Sequence, residues 1–151
     1  MNRDFVEMLA ALSDAEADFL VVGAHALAAH GVLRATGDLD IWVRPSPANA
    51  SQVWTSLSRF GAPLDDLTPE DLSAENLVFQ IGLPPARIDI LTSITGVDFD
   101  EAWYERVTVE IEGLDVPVIG REALIRNKRA VGRTRDLADI EALEEVRRDD
   151  P

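Results

Sequence analysis

The stretch Arg34-Ala35-Thr36-Gly37-Asp38-Leu39-Asp40-Ile41-Trp42-Val43 sets two aspartates two residues apart in an otherwise apolar run. From Asp38 onward polar and apolar residues alternate, which is the pattern of a strand with two different faces. Side chains at i and i+2 share a face, so Asp38 and Asp40 stand side by side while Leu39, Ile41 and Val43 turn inward. Two adjacent ionised carboxylates repel each other, and a cation between them removes that cost. Residues 87–91, Arg87-Ile88-Asp89-Ile90-Leu91, repeat the alternation with Asp89 flanked by isoleucines. If this strand lies beside the first, three carboxylates converge, and hard oxygen donors of this kind suit Mg²⁺ or Mn²⁺. Each piece alone is weak, because acids alternating on a half-exposed strand are commonly just its wet face.

Working back towards the N-terminus, Phe19-Leu20-Val21-Val22 is a short β-rich run ended by Gly23. Residues 24–30 favour a helix that stops at Gly31. A strand–glycine–helix junction brings backbone N–H groups close to a ligand, and those at Gly23 and Ala24 could hold a phosphate. A plain turn glycine is the competing reading. Before this, Phe5, Met8, Leu9 and Leu12 form a helical stripe. After the aspartate pair, Pro45 ends the strand, and Ser46-Pro47 reads as an N-cap opening a helix to about Phe60. Residues 61–71 read as a loop, 77–81 and 87–91 as a hairpin around Pro84-Pro85, and 98–104 as a short helix. Residues 107–111 and 116–119 form a second hairpin around Gly113. Helices over 121–131 and 134–147, separated by Gly132, close the chain. The pattern is one α/β (α+β) domain, residues 1–151, with a mixed β-sheet flanked by helices. Residues 1–119 form the α/β core and 120–151 a C-terminal helical hairpin packed on it.

The 151 residues are enough for one domain with a real core. There is no cysteine, which excludes disulfides, zinc–thiolate sites and thiol catalysis. No apolar run is long enough to cross a bilayer, so no membrane association is expected, and a cytoplasmic location is the default expectation. The formal net charge of −14 opposes general DNA binding. One local reversal stands out. Residues 123–135 contain no acid but hold Arg126, Lys128, Arg129, Arg133 and Arg135, and Lys128 is the chain's only lysine. A solvated helix face is the bland explanation, and a phosphate-binding wall is the functional one. His25 and His30 are five apart and do not share a helical face as ligands.

The order strand, Gly, helix, His30-Gly31, Arg34-x-Thr36-x-Asp38-x-Asp40, strand resembles the nucleotidyltransferase superfamily that includes DNA polymerase β. It looks most like the minimal nucleotidyltransferases and AbiEii-type toxins. The apolar-Asp-apolar strand Ile88-Asp89-Ile90 matches their third carboxylate. Lys128-x-x-x-Gly132-Arg133 followed by Asp136-Leu137-x-Asp139 matches their C-terminal helical motif, so the resemblance spans about residues 18–143. Where relatives carry Gly or Ser after the first glycine, this chain has Ala24, which has no hydroxyl to offer a phosphate.

The resemblance implies a nucleotidyltransferase fold and transfer of a nucleoside monophosphate from an NTP, such as ATP, to a hydroxyl acceptor. Asp38, Asp40 and Asp89 would be the catalytic, Mg²⁺-binding carboxylates, with Asp89 on the acceptor side. Gly23, Ala24, Arg34, Thr36, Lys128 and Arg133 would face nucleotide phosphates. Competing roles are surface pairing for Arg34, turn capping for Thr36, and pairing with Asp136 and Asp139 for Lys128 and Arg133. The acceptor is open between an RNA end such as tRNA, a protein and a small molecule. A second copy or an antitoxin partner would have room to complete the acceptor site. The rival expectation is a catalytically silent module of the same fold that binds a nucleotide or a partner protein.

Overall fold

A computed structural model describes residues 1–149. Its elements in chain order are α1 (Arg3–Asp14), β1 (Phe19–Val22), α2 (Gly23–Ala29), β2 (Asp38–Val43) and α3 (Pro47–Phe60). A single 3₁₀ turn at Asp71–Ser73 follows, then β3 (Val78–Ile81), β4 (Arg87–Leu91), α4 (Phe99–Tyr104), β5 (Val107–Ile111), β6 (Leu114–Val118), α5 (Arg121–Val131) and α6 (Thr134–Asp149). The chain is thus mixed α+β, and the expected elements are all present. The expected strand over 116–119 begins earlier, at Leu114, because Glu112 and Gly113 both take positive φ and turn the hairpin within two residues.

The six strands form one mixed sheet in the order β3-β4-β2-β1-β6-β5. The pair β1–β2 is antiparallel, whereas β2–β4 and β1–β6 are parallel. Alternation along β2 and β4 explains which face is dry. Leu39, Ile41, Val43, Ile88 and Ile90 are all buried, in one core with Phe5, Met8, Leu9 and Leu12 of α1 and Val53 and Leu57 of α3. Each such side chain contributes about 1.5–3 kcal/mol by leaving water. The helix α3 starts where Ser46 accepts a hydrogen bond from the Asn49 N–H and ends at Gly61 in the left-handed region. Asn49, itself buried, ties this helix to the sheet. Its side chain accepts from the Asp18 N–H and donates to the Asp18 and Arg44 carbonyls.

On the opposite face Trp42 is buried edge-on against Phe99 of α4, with Trp103 stacked on Phe99 in turn. Trp42 is therefore core. Among the described residues no helix is long and apolar enough to cross a membrane.

Candidate active site

The parallel register of β2 and β4 sets Asp40 directly opposite Asp89 and Asp38 opposite Arg87. Paired positions share a face, so one patch of the sheet holds Asp38, Asp40, Asp89 and Arg87. The antiparallel register of β3 adds Gln80 beside Asp89. On the other side Val22, the last residue of β1, pairs with Asp40. The chain then turns at Gly23, whose φ is +69°. A Cβ there would lie well inside van der Waals distance of Asp40 Oδ2 and 3.1 Å from its Cγ. Glycine is needed at this position both for its backbone angle and for the Asp40 carboxylate packed against it.

Electrostatics make this patch costly in the bare protein. The Asp40 carboxyl is raised to about 6, first by burial and then by the negative charges of Asp89 and Asp38. A hydrogen bond to Asp89 raises it further, and Arg87 works against the shift. Arg87 Nη2 donates to Asp38 Oδ2 at 2.7 Å and to Asp89 Oδ2 at 3.3 Å. Arg87 Nε lies 3.1 Å from Asp89 Oδ1 but is not aligned for a hydrogen bond. Asp38 Oδ1 and Asp89 Oδ1 are consequently buried with no hydrogen-bond partner. Orphaned buried carboxylate oxygens beside a third carboxylate are the donor chemistry of a hard divalent cation, so these residues fit Mg²⁺ or Mn²⁺. Among the described residues they do not form a ready-made cage, and the Arg87 guanidinium stands among them.

Beside the carboxylates opens a cleft of about 460 Å³, lined among others by Gly23, Ala24, Arg34, Thr36, Asp38, Asp40, Lys128, Arg133 and Asp139. Residues from the first turn of α2, the loop before β2 and the two final helices thus meet at one place. Asp89 does not line this cleft and lies on the β3 side of it. Gly37 packs the loop onto the Pro84-Pro85 turn, since a Cβ there would fall 2.9 Å from Pro84 Cβ. Thr36 Oγ1 accepts from the Asp38 N–H at 3.1 Å and so caps the entry to β2. A larger open groove of about 680 Å³ runs between residues 75–78 and 93–98, but none of the residues singled out from the sequence lies in it.

Three cations of the wall, Arg34, Lys128 and Arg133, are engaged. Lys128 Nζ lies 3.0 Å from Asp139 and 3.4 Å from Asp136. Arg133 Nε is 2.6 Å from Asp136, and Arg34 Nε donates to Asp139 at 2.9 Å. Asp136 and Asp139 are buried, and hydrogen bonding from Arg133 holds the Asp136 carboxyl below its ordinary value. Pairing with these aspartates was the alternative role for Lys128 and Arg133, and it is what the geometry of the bare protein contains. The histidines stand outside the cleft lining. His25 packs edge-on against Phe5, and burial lowers its pKa. His30 Nε2 lies 2.8 Å from the Ile119 carbonyl.

One similar structure fits this architecture. A protein of Thermotoga maritima, proposed to be a nucleotidyltransferase, superposes with a TM-score of 0.53 at 18% identity, over 98% of this chain and 94% of its own. The chain has a nucleotidyltransferase-like fold. No family model matches the sequence, and no curated protein matches it. The likeness therefore rests on architecture, and the chemistry must be argued from the side chains.

Arg87 was the residue that motif reading passed over. Its signal was present in the alternation of β4, where a residue two before Asp89 must share its face. Gln80 carried no such signal, since its place beside Asp89 depends on the β3–β4 register.

Proposed function

We propose that this protein is a divalent-cation-dependent nucleotidyltransferase that moves a nucleoside monophosphate from an NTP to a hydroxyl acceptor. The observation that carries the reading is the meeting of Asp38, Asp40 and Asp89 beside the Gly23 turn at the mouth of a cleft with a cationic wall. In this reading Asp38, Asp40 and Asp89 hold Mg²⁺ or Mn²⁺, which when bound neutralises phosphate charge and polarises the α-phosphorus. The backbone at Gly23 and Ala24 binds the β- and γ-phosphates, and Arg34, Lys128 and Arg133 exchange part of their pairing with Asp136 and Asp139 for phosphate oxygens. Thr36 positions Asp38 by capping the strand. The acceptor oxygen bonds to the α-phosphorus as the bridging bond to pyrophosphate breaks. The hydroxyl proton passes to Asp89, which lies on the side away from the triphosphate cleft. Most of the rate then comes from positioning and fixed charge.

The motif resemblance adds an AbiEii-type toxin role, with an antitoxin or a second copy completing the acceptor site. The supply of NTP and Mg²⁺ adds a cytoplasmic location. The catalytically silent module remains the second reading, favoured by the prior engagement of Lys128, Arg133 and Arg34 and by Ala24.

The test is incubation of the protein with each labelled triphosphate, Mg²⁺ and cell extract, followed by identification of the labelled product. Asp38→Asn and Asp89→Asn, shown to be folded, are expected to lose at least 100-fold in labelling. Folded variants with full activity overturn the assigned roles. Absence of labelling by the native protein, together with a thermal shift by a non-hydrolysable triphosphate, selects the silent module.

A further inference from the structure

Among the described residues Arg87 is the one cation paired with these aspartates. It begins β4, opposite Asp38 in register, and its N–H donates to the Gly37 carbonyl at 3.2 Å. Its base is thereby fixed to the loop that leads into the aspartate pair. Its head bridges Asp38 and Asp89, at 2.7 Å from the first and 3.1 Å from the second. A guanidinium does not deprotonate in proteins, so this positive charge is permanent.

We propose that Arg87 is the resident cation of the carboxylate site, standing where a second divalent ion would otherwise be required, so that the protein alone takes one divalent ion and not two. This rests on the reading that Asp38, Asp40 and Asp89 hold a divalent ion, and it concerns how many. Charge supports it. Three ionised carboxylates carry three negative charges, Arg87 returns one, and the remaining two match a single divalent ion. Donor accounting agrees. Arg87 holds Oδ2 of Asp38 and lies against both oxygens of Asp89. Asp38 Oδ1 is left buried without a hydrogen-bond partner, and with the Asp40 carboxylate it supplies one ion's protein donors. Mg²⁺ keeps several waters and needs no more than a few such ligands. A second ion would need the oxygens that Arg87 holds, or would sit against its positive charge.

The experiment counts ions directly. Protein stripped with chelator is titrated with Mn²⁺ alone, and free Mn²⁺ is followed by its electron paramagnetic resonance signal. Wild type is expected to bind one ion. Arg87→Gln, checked for folding by circular dichroism, is expected to bind two, the first about tenfold more tightly than in wild type. Arg87→Lys keeps a charge and is expected to bind one, and Arg87→Met, which removes the charge but keeps an apolar stem, is expected to bind two and serves if the glutamine variant does not fold. Two ions in wild type overturn the proposal. One ion in both wild type and Arg87→Gln with equal affinity also overturns it, and leaves the nucleotidyl-transfer reading standing. No ion in any of the proteins removes the metal site itself, and both readings fall together.

Discussion

Substituting Gly23 by alanine tests whether the turn and the Asp40 carboxylate form one device. Gly23 has φ +69°, and an L-residue in that region costs about 1–2 kcal/mol. Against this, alanine restricts the unfolded chain, which returns roughly 0.4–1 kcal/mol. The added methyl would also press on Asp40, 3.1 Å from its Cγ and closer to Oδ2, and overpacking of this kind costs about 1–3 kcal/mol. The balance is a loss of roughly 1–5 kcal/mol. At roughly 2–4 °C per kcal/mol for a domain of this size, the melting temperature falls by about 2–20 °C. Gly113→Ala is the control, because Gly113 has φ +80° but no atom within 4 Å of a Cβ. It carries the backbone cost alone, about 1 kcal/mol or less after the unfolded-state gain. The difference between the two variants isolates the pressure on Asp40. A displaced Asp40 also predicts loss of nucleotidyl transfer by about 100-fold, the usual effect of a 1 Å misplacement, with Gly113→Ala retaining activity. Differential scanning calorimetry and the labelling assay measure both. Equal stability losses in the two variants, or full activity in Gly23→Ala, would refute the coupling of turn to carboxylate.

Two further outcomes follow from the ionic groups. In metal-free protein the folded Asp40 carboxyl titrates at about 6 against an ordinary 3.8, so the native state binds the extra proton between those values and loses stability as pH rises through 6. Asp40→Asn is therefore expected to raise the melting temperature at pH 8 and to change it little at pH 4; an equal effect at both pH values sinks this account. Lys128→Met leaves buried Asp136 and Asp139 short of a counter-charge and should cost about 3 kcal/mol, the low end for a broken buried pair because Arg133 and Arg34 remain. Arg133→Met, at a side chain that is half exposed, should cost less in urea unfolding, and the reverse order would count against the burial argument.

Strand alternation made the aspartate pair legible because its period is local: Asp38 and Asp40 must share a face whatever else the chain does. The Ser46-Pro47 helix start and the Gly61 and Gly132 stops were legible for the same reason, as each is decided within a turn of chain. Asp89 was legible as a candidate but not as a neighbour. Its place opposite Asp40 depends on β4 pairing in parallel with β2 across some fifty residues, and no local pattern encodes that register. The cationic wall shows the limit more sharply. Composition set Lys128 and Arg133 apart from the acidic remainder, and spacing suggested Asp136 and Asp139 as partners. Their engagement is decided by burial, since two buried carboxylates on α6 require counter-charges that the sequence alone does not locate.

The two halves of the site differ in what they lack. On the cationic side Arg34, Lys128 and Arg133 each have a carboxylate partner, so a phosphate that draws on these three must compete with Asp136 and Asp139. On the anionic side two carboxylate oxygens have no hydrogen-bond partner, and the Asp40 carboxyl is raised to about 6 by burial and then by the charges of Asp89 and Asp38. An incoming cation relieves like-charge repulsion at once, whereas an incoming anion first breaks ion pairs and meets a surface of net charge −14. The unliganded protein is therefore deficient in positive charge at the carboxylates and not in negative charge at the wall. On the proposed function, a divalent ion, alone or already carrying the triphosphate, is therefore expected to enter before free triphosphate.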